Sequence, residues 1–156
     1  MKSGMDFTGF GKICVVGGES RNFVSFVKKL GMSDILSDVA DVVVLTDGKC
    51  LDNMRWKKAA FPYFRGFEKT GIICGEVLTY AVEENEADVV GKNVRFTDDF
   101  TAFELLAKDG IGRIYLNDTG REAPRYAIAL ACGLILLGMP FRDVLKTLSR
   151  NDIGLK

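Results

Sequence analysis

The 156-residue chain has no histidine and no glutamine. Without an imidazole, no Ser-His or Cys-His catalytic pair can form within it, and no histidine can ligate a metal or carry a proton. Cysteine is sparse: Cys14, Cys50, Cys74 and Cys132, no two of them in a C-x-x-C pair. That spacing excludes a zinc ribbon and a thioredoxin-type redox motif. Neither sign of charge is in excess, with 21 basic and 21 acidic residues, so a nucleic-acid footprint would be local only. The longest uncharged apolar run, Tyr126 to Pro140, is short of the roughly 20 residues that cross a bilayer. Residues 1–11 lack a basic segment followed by an apolar one, the pattern of a signal peptide. A soluble, reduced, cytoplasmic protein is expected.

What is present suits a folded domain. The chain is 47% hydrophobic and 27% charged, which excludes a disordered or collagen-like polymer. At this size it hides roughly 68–70% of its unfolded surface. One domain over 1–156 is expected, with 1–11 as a loose lead-in. Lys12-Ile-Cys-Val-Val16 and Val42 to Leu45 carry continuous apolar runs, the pattern of strands buried on both faces. Phe23, Phe26, Val27 and Leu30 recur at helical spacing, with Gly31 as C-cap. Residues 51–60 can form a helix, and Gly71 to Ile73 a short strand. Val77 to Glu84 reads as a helix, and 87–98 as a strand or part of a hairpin. Thr101-x-x-Glu104 has the form of a capping box opening a helix that Asp109-Gly110 closes. A strand at Arg113 to Leu116 precedes a long helix from about Pro124 to Leu137. Pro140 opens a last helix with Phe141, Val144, Leu145 and Leu148 on one stripe. Strands alternating with helices predict an α/β, three-layer Rossmann-like fold. Its sheet is mostly parallel, of about five strands, with helices on both faces.

In such sheets ligands bind outside the carboxyl ends of the strands. Four such ends are polar or glycine-bearing: Gly17-Gly18-Glu19-Ser20, Asp47-Gly48, Cys74-Gly75-Glu76 and Asn117 to Arg121. The competing explanation is that strand-to-helix turns need glycines and caps anyway. Gly17 and Gly18 let backbone N–H groups approach an anion, although neither G-x-G-x-x-G nor a Walker A lysine pattern is present. Cys74, between a strand and a helix, sits where nucleophile elbows sit, with Glu19, Glu76 or Asp118 as its available helpers; otherwise it fills a tight turn. In Asp118 to Arg125, Pro124 fits best at the first helical position, which leaves 118–123 as an exposed loop. Arg121 and Arg125 near a helix N-terminus oppose its dipole unless an anion lies between them. The alternative is pairing with Glu122 or with Asp98 and Asp99. Arg55 to Lys58, with Phe61, Tyr63, Phe64 and Arg65, interleaves cations and aromatics, a weak nucleic-acid signal against ordinary packing. The helix Tyr126 to Leu137 is apolar all round, so either one domain covers it or a homodimer does.

Two resemblances follow from these motifs. Asp41 to Gly48, Gly71-Ile-Ile-Cys-Gly-Glu76 and Glu19 resemble the strand, elbow and neighbouring glutamate of the class I glutamine-amidotransferase-like superfamily. That resemblance implies a Rossmann-like fold and a nucleophilic Cys74 beside Glu19, although the superfamily's usual histidine is absent. Residues 113–150 are similar to the end of a dual-specificity phosphatase. There Thr119 and Arg125 keep the C-x5-R spacing, with threonine in place of the nucleophile and Glu122 in place of a loop glycine.

The leading expectation is a module binding a small anionic metabolite or nucleotide. Arg121 and Arg125 hold the anion, Gly17 and Gly18 supply backbone donors, and Gly120 allows close approach. Asp47 or Asp118 takes hydroxyls, with Ser20, Gly75 and Thr119 on the same rim. One alternative is a cysteine-centred hydrolase or lyase using Cys74 and Glu19. The other is a structural homo-oligomer. No metal spacing is seen, and the residues specify no cofactor.

Overall fold

The structure, a computed structural model, describes residues 10–47, 56–63 and 74–149, with Trp56 and Cys74 described by backbone alone. In chain order the elements are β1 (Ile13–Val16), α1 (Ser20–Lys29), a 3-10 turn (Ser33–Ile35), β2 (Val42–Leu45), β3 (Trp56–Pro62) and β4 (Cys74–Val82). β5 (Val89–Phe96), β6 (Thr101–Ala107), β7 (Gly110–Leu116), α2 (Ala123–Leu136) and α3 (Phe141–Leu148) complete them. All seven strands belong to one sheet, in the order of the sequence. β1 to β5 run parallel, and β5, β6 and β7 are antiparallel neighbours.

The α/β class and the mostly parallel sheet agree with the expectation, and the described strands number seven rather than about five. α2 lies across β2 to β6 and touches α1 on one side and α3 on the other, so the described helices form a single layer. The core lies between that layer and Ile13, Val42, Val44, Ala60, Tyr80, Phe103, Leu105 and Ile114. Val43, Leu45, Ala59 and Phe61 alternate with these on the opposite face and are buried too. β2 is therefore apolar on both faces, as its continuous run requires.

Three segments read as helices are strands. Residues 56–60 lie in β3, 77–82 in β4 and 101–107 in β6. The supposed capping box at Thr101 is a strand alternation in which Phe103 and Leu105 face the helices. Asp109-Gly110 belongs to the tight turn joining β6 to β7, since Ala107 pairs with Gly110. Gly112 lets α3 approach β7: a Cβ there would lie 2.2 Å from Leu145 Cδ1.

The step from β4 to β5 joins two parallel strands with six residues, where a dozen or more is usual. It is possible because only Tyr80 to Val82 pair with Val89 to Gly91. Glu83 turns the chain at φ 58°, and the Asp88 carboxylate accepts the Thr79 N–H at 2.8 Å and the Thr79 hydroxyl at 3.1 Å.

α2 is buried along its length by its own chain, including Ala127, Ile128, Leu130, Ala131, Cys132 and Leu134. It therefore has no apolar face left for a second subunit, and the expected homodimer through Tyr126 to Leu137 loses its surface. Lys58 Nζ donates to the Leu136 carbonyl at 2.9 Å and so caps the helix's far end. Among the described residues, no helix is long and apolar enough to cross a membrane. The lead-in up to residue 9, Gly48, Cys50, Arg55, Phe64, Arg65 and the strand expected at Gly71 to Ile73 lie outside the described residues.

Candidate functional site

The carboxyl ends of β1 and β2 carry the most connected polar cluster. After Val16 the chain turns at Gly17, held at φ +133°. A Cβ there would fall 2.1 Å from Thr46 Oγ1, so only glycine fits. The turn brings two backbone donors over the end of β2. The Gly18 N–H donates to Asp47 Oδ2 at 2.9 Å, and the Glu19 N–H to Thr46 Oγ1 at 3.2 Å. Thr46 in turn donates its backbone N–H to Val16 O at 2.9 Å, which fastens the two strand ends together.

Glu19 is the N-cap of α1, yet its side chain makes no capping bond to that helix. It reaches instead to the first turn of α2. There one carboxylate oxygen accepts the Tyr126 hydroxyl at 2.8 Å and an Arg125 Nη2 hydrogen bond. Arg125 spends its Nε on Glu122 Oε1 at 2.9 Å, and its guanidinium lies 5.3 Å from the Tyr126 ring centre. Phe23 meets the same ring edge-on at 6.0 Å. Two helix N-termini thus converge through one acid, one base and one phenol.

The electrostatics follow from these contacts. The Tyr126 hydrogen bond, with help from Arg125, holds the Glu19 carboxyl below its ordinary value against burial and the nearby Asp47. Burial opposes the charge on Arg125, but the bonds to Glu122 and Glu19 outweigh it and raise its pKa. Burial, then the bond to Glu19, pushes the Tyr126 phenol up. Beneath them, Tyr80 is 2% exposed and donates its hydroxyl to the Leu45 carbonyl at 2.6 Å. Burial drives its pKa far upward, so it serves as a neutral floor.

The structure brings Gly17, Gly18, Glu19, Ser20, Asp47 and Arg125 to this rim. The loop leading into α2 carries Asp118, Thr119, Gly120 and Arg121. Asp118 Oδ1 accepts the Gly120 N–H at 2.8 Å, and its carbonyl accepts Thr101 Oγ1 at 2.9 Å. Arg121 is exposed and makes no ion pair among the described residues. For Arg125 the alternative of pairing with Glu122 is realised. Ser20 also borders a hollow of about 390 Å³ beside α1, with Arg21 and Lys28.

Cys74 and Gly75 are not at the rim. They open β4, paired beside Trp56 at the amino end, with the strand continuing to Val82. Cys74 precedes Leu78 by four residues, on the order of 13 Å along the strand, and Leu78 is level through Ala60 with Val44 near the end of β2. No elbow or helix follows Cys74, and Glu19 stands at the opposite end of the sheet. The cysteine-centred hydrolase thus loses its constellation. The cation–aromatic stretch is also dispersed, since Phe61 is buried in the sheet and Lys58 caps α2. Among the described residues no three His, Cys, Asp or Glu side chains are placed to hold a metal ion.

Sequence reasoning passed over Thr46, Tyr80 and Tyr126. A threonine ending the buried run Val42 to Leu45 was the available signal for the first. Tyr126 was visible only as part of an apolar helix.

No family model matches the chain. It is 33% identical over 82 residues to UDP-N-acetylmuramoyl-L-alanyl-D-glutamate–2,6-diaminopimelate ligase of Bacillus velezensis, covering 53% of this chain and 16% of that protein. The ligase of the same name from Halalkalibacterium halodurans matches at 33% over 73 residues, covering 47% of this chain and 15% of that protein. Among solved structures, the UDP-N-acetylmuramoylalanyl-D-glutamyl-2,6-diaminopimelate–D-alanyl-D-alanyl ligase of Acinetobacter baumannii superposes with TM-score 0.62 at 11% identity. It covers 88% of this chain and 45% of that one. A pseudomurein peptide ligase type C of Methanothermus fervidus gives TM-score 0.54 at 10% identity, covering 87% of this chain and 48% of that one. The chain spans less than half the length of these structures and about one-sixth of the curated relatives. These likenesses overturn the resemblances to glutamine amidotransferases and dual-specificity phosphatases; the fold is similar to that of part of these ligases.

Proposed function

We propose that the chain is a Mur-ligase-like binding module that takes a uridine-diphosphate-type ligand over the carboxyl ends of β1 and β2. Arg121 and Arg125 face the diphosphate. Asp47 and Asp118 accept ligand hydroxyls, and Gly17, Gly18 and Gly120 keep the backbone close. Ser20 and Thr119 offer hydroxyls at the margin. The observation that carries this reading is the convergence of the α1 and α2 N-termini on Glu19, Arg125 and Tyr126. Such termini favour anions through their N–H groups and dipoles. The 33%-identical relatives support it by their name, which specifies a UDP-linked substrate.

The test is thermal unfolding with UDP, on the wild type and on Arg121→Ala combined with Arg125→Ala. A ligand at about 100 times its dissociation constant adds roughly 2.7 kcal/mol. At about 2–4 °C per kcal/mol, the expected shift is on the order of 5–11 °C. The double variant abolishes it. No shift of the wild type at millimolar UDP overturns the reading.

A further inference from the structure

We infer that the Glu19 carboxylate is an internal competitor for the ligand's anionic group. It holds Arg125 and Tyr126 until a phosphate displaces it, and so sets which anions the rim accepts. This rests on the reading of the rim as a ligand site.

The geometry behind it is the use Glu19 makes of its position. Short polar side chains at an N-cap, Ser, Thr, Asp or Asn, serve the N–H groups of their own helix. The longer Glu19 side chain makes no such bond and instead accepts from donors on another helix, 106 residues away in sequence. Its one oxygen accepts from both a guanidinium and a phenol, the donor pair that a phosphate oxygen would use. The side chain is 39% exposed, so it can leave without opening the core. Having left, its carboxylate faces solvent. An incoming anion then takes the place of the carboxylate on Arg125 and Tyr126. Asp47 repeats the pattern on a smaller scale, with its carboxylate lying on the Gly18 N–H. Three of the donors that would meet an incoming anion, Arg125 Nη2, the Tyr126 hydroxyl and the Gly18 N–H, are thus already met by carboxylates of the protein itself. Arg125 is further shared with Glu122, which moderates the charge offered to a ligand.

The consequence is a selectivity. A ligand with a strongly charged diphosphate can outcompete a single carboxylate, and a simple monocarboxylate cannot. Glu19→Gln keeps a side-chain oxygen for Tyr126 and removes the competing charge. The experiment is calorimetric titration of the full chain and of Glu19→Gln with inorganic pyrophosphate and with UDP. Glu19→Ala serves as a second variant, and thermal unfolding checks that each is folded. The expected result is pyrophosphate binding about tenfold tighter in Glu19→Gln, with the gain lost when Arg125→Ala is added. Equal or weaker binding in both Glu19 variants, with the wild type still binding UDP, overturns the competitor and leaves the ligand reading standing. Absence of binding in every protein, for both probes, removes the ligand reading and this inference together.

Discussion

The two halves of the sheet are built on different terms. In the parallel half, β2 is apolar on every residue and ends in Thr46 and Asp47. In the antiparallel half, β6 and β7 place Phe103, Leu105 and Ile114 toward the helices and pair Glu104 with Arg113 on the other face at 3.2 Å. In β1 and β2 the polar residues are confined to the strand ends, where helix N-termini arrive, while β3 and β4 carry Lys58 and Glu76, 3.8 Å apart, along their length. Those of the second half are spread along its strands as a solvated face. A functional rim is thus concentrated by burial: a strand that can place no charge along its length places its polar groups where it stops. The hairpin half has a hollow of about 290 Å³ lined by Asn93, Arg95, Glu104 and Arg113, but its charges are arranged as cross-strand pairs.

α2 joins the halves, and its removal from one of them is the strongest way to break the comparison. Ile128 packs over Gly91, where a Cβ would come within 2.3 Å of its Cδ1. Ile128→Ala should cost about 2–5 kcal/mol in urea unfolding, as a single transition. Two separated transitions would show that the halves are independent units. Asp88→Ala probes the seam between β4 and β5. It strips acceptors from the N–H and hydroxyl of Thr79, which is 3% exposed, and should cost about 1–3 kcal/mol. Hydrogen exchange should rise at the β4–β5 seam and leave β1 and β2 protected; exchange rising evenly would contradict the local role.

The smallest effect is a pH dependence that belongs to the rim alone. Glu19 has a folded-state pKa below its unfolded value. Its contribution is therefore present above the ordinary glutamate pKa of about 4.3 and is lost as pH falls through the lower folded value. Thermal unfolding followed from pH 6 downward should fall more steeply for the wild type than for Glu19→Gln. Glu104, lowered by Asn93 and Arg113, titrates in both proteins and cancels. Parallel curves would mean that the Glu19 contacts contribute nothing to stability.

The same contrast explains what the sequence disclosed. β1, β2, α1, α2 and α3 were legible because their apolar residues form a continuous run or recur at helical period. β4 and β6 were not. In β6, Thr101 and Glu104 stand at the spacing of a capping box, and the alternation of Phe103 with Leu105 is only two residues deep. In β4, Gly75 after Cys74 imitates a turn, while the cross-strand partner that keeps the chain extended, β3, cannot be read locally. Gly17, Gly18, Glu19, Asp47 and Arg125 were legible as residues at strand and helix ends. Their mutual bonds were not, because Glu19 and Arg125 meet only through the tertiary packing of α1 on α2.

The most direct measurement is the UDP titration read residue by residue, as amide chemical-shift changes on the full chain. The account predicts changes at Gly17 to Ser20, Thr46 and Asp47, and Asp118 to Tyr126, with the hairpin residues Asn93 to Arg113 unmoved. Changes centred on Asn93, Arg95, Glu104 and Arg113, with the β1 and β2 ends silent, would contradict it.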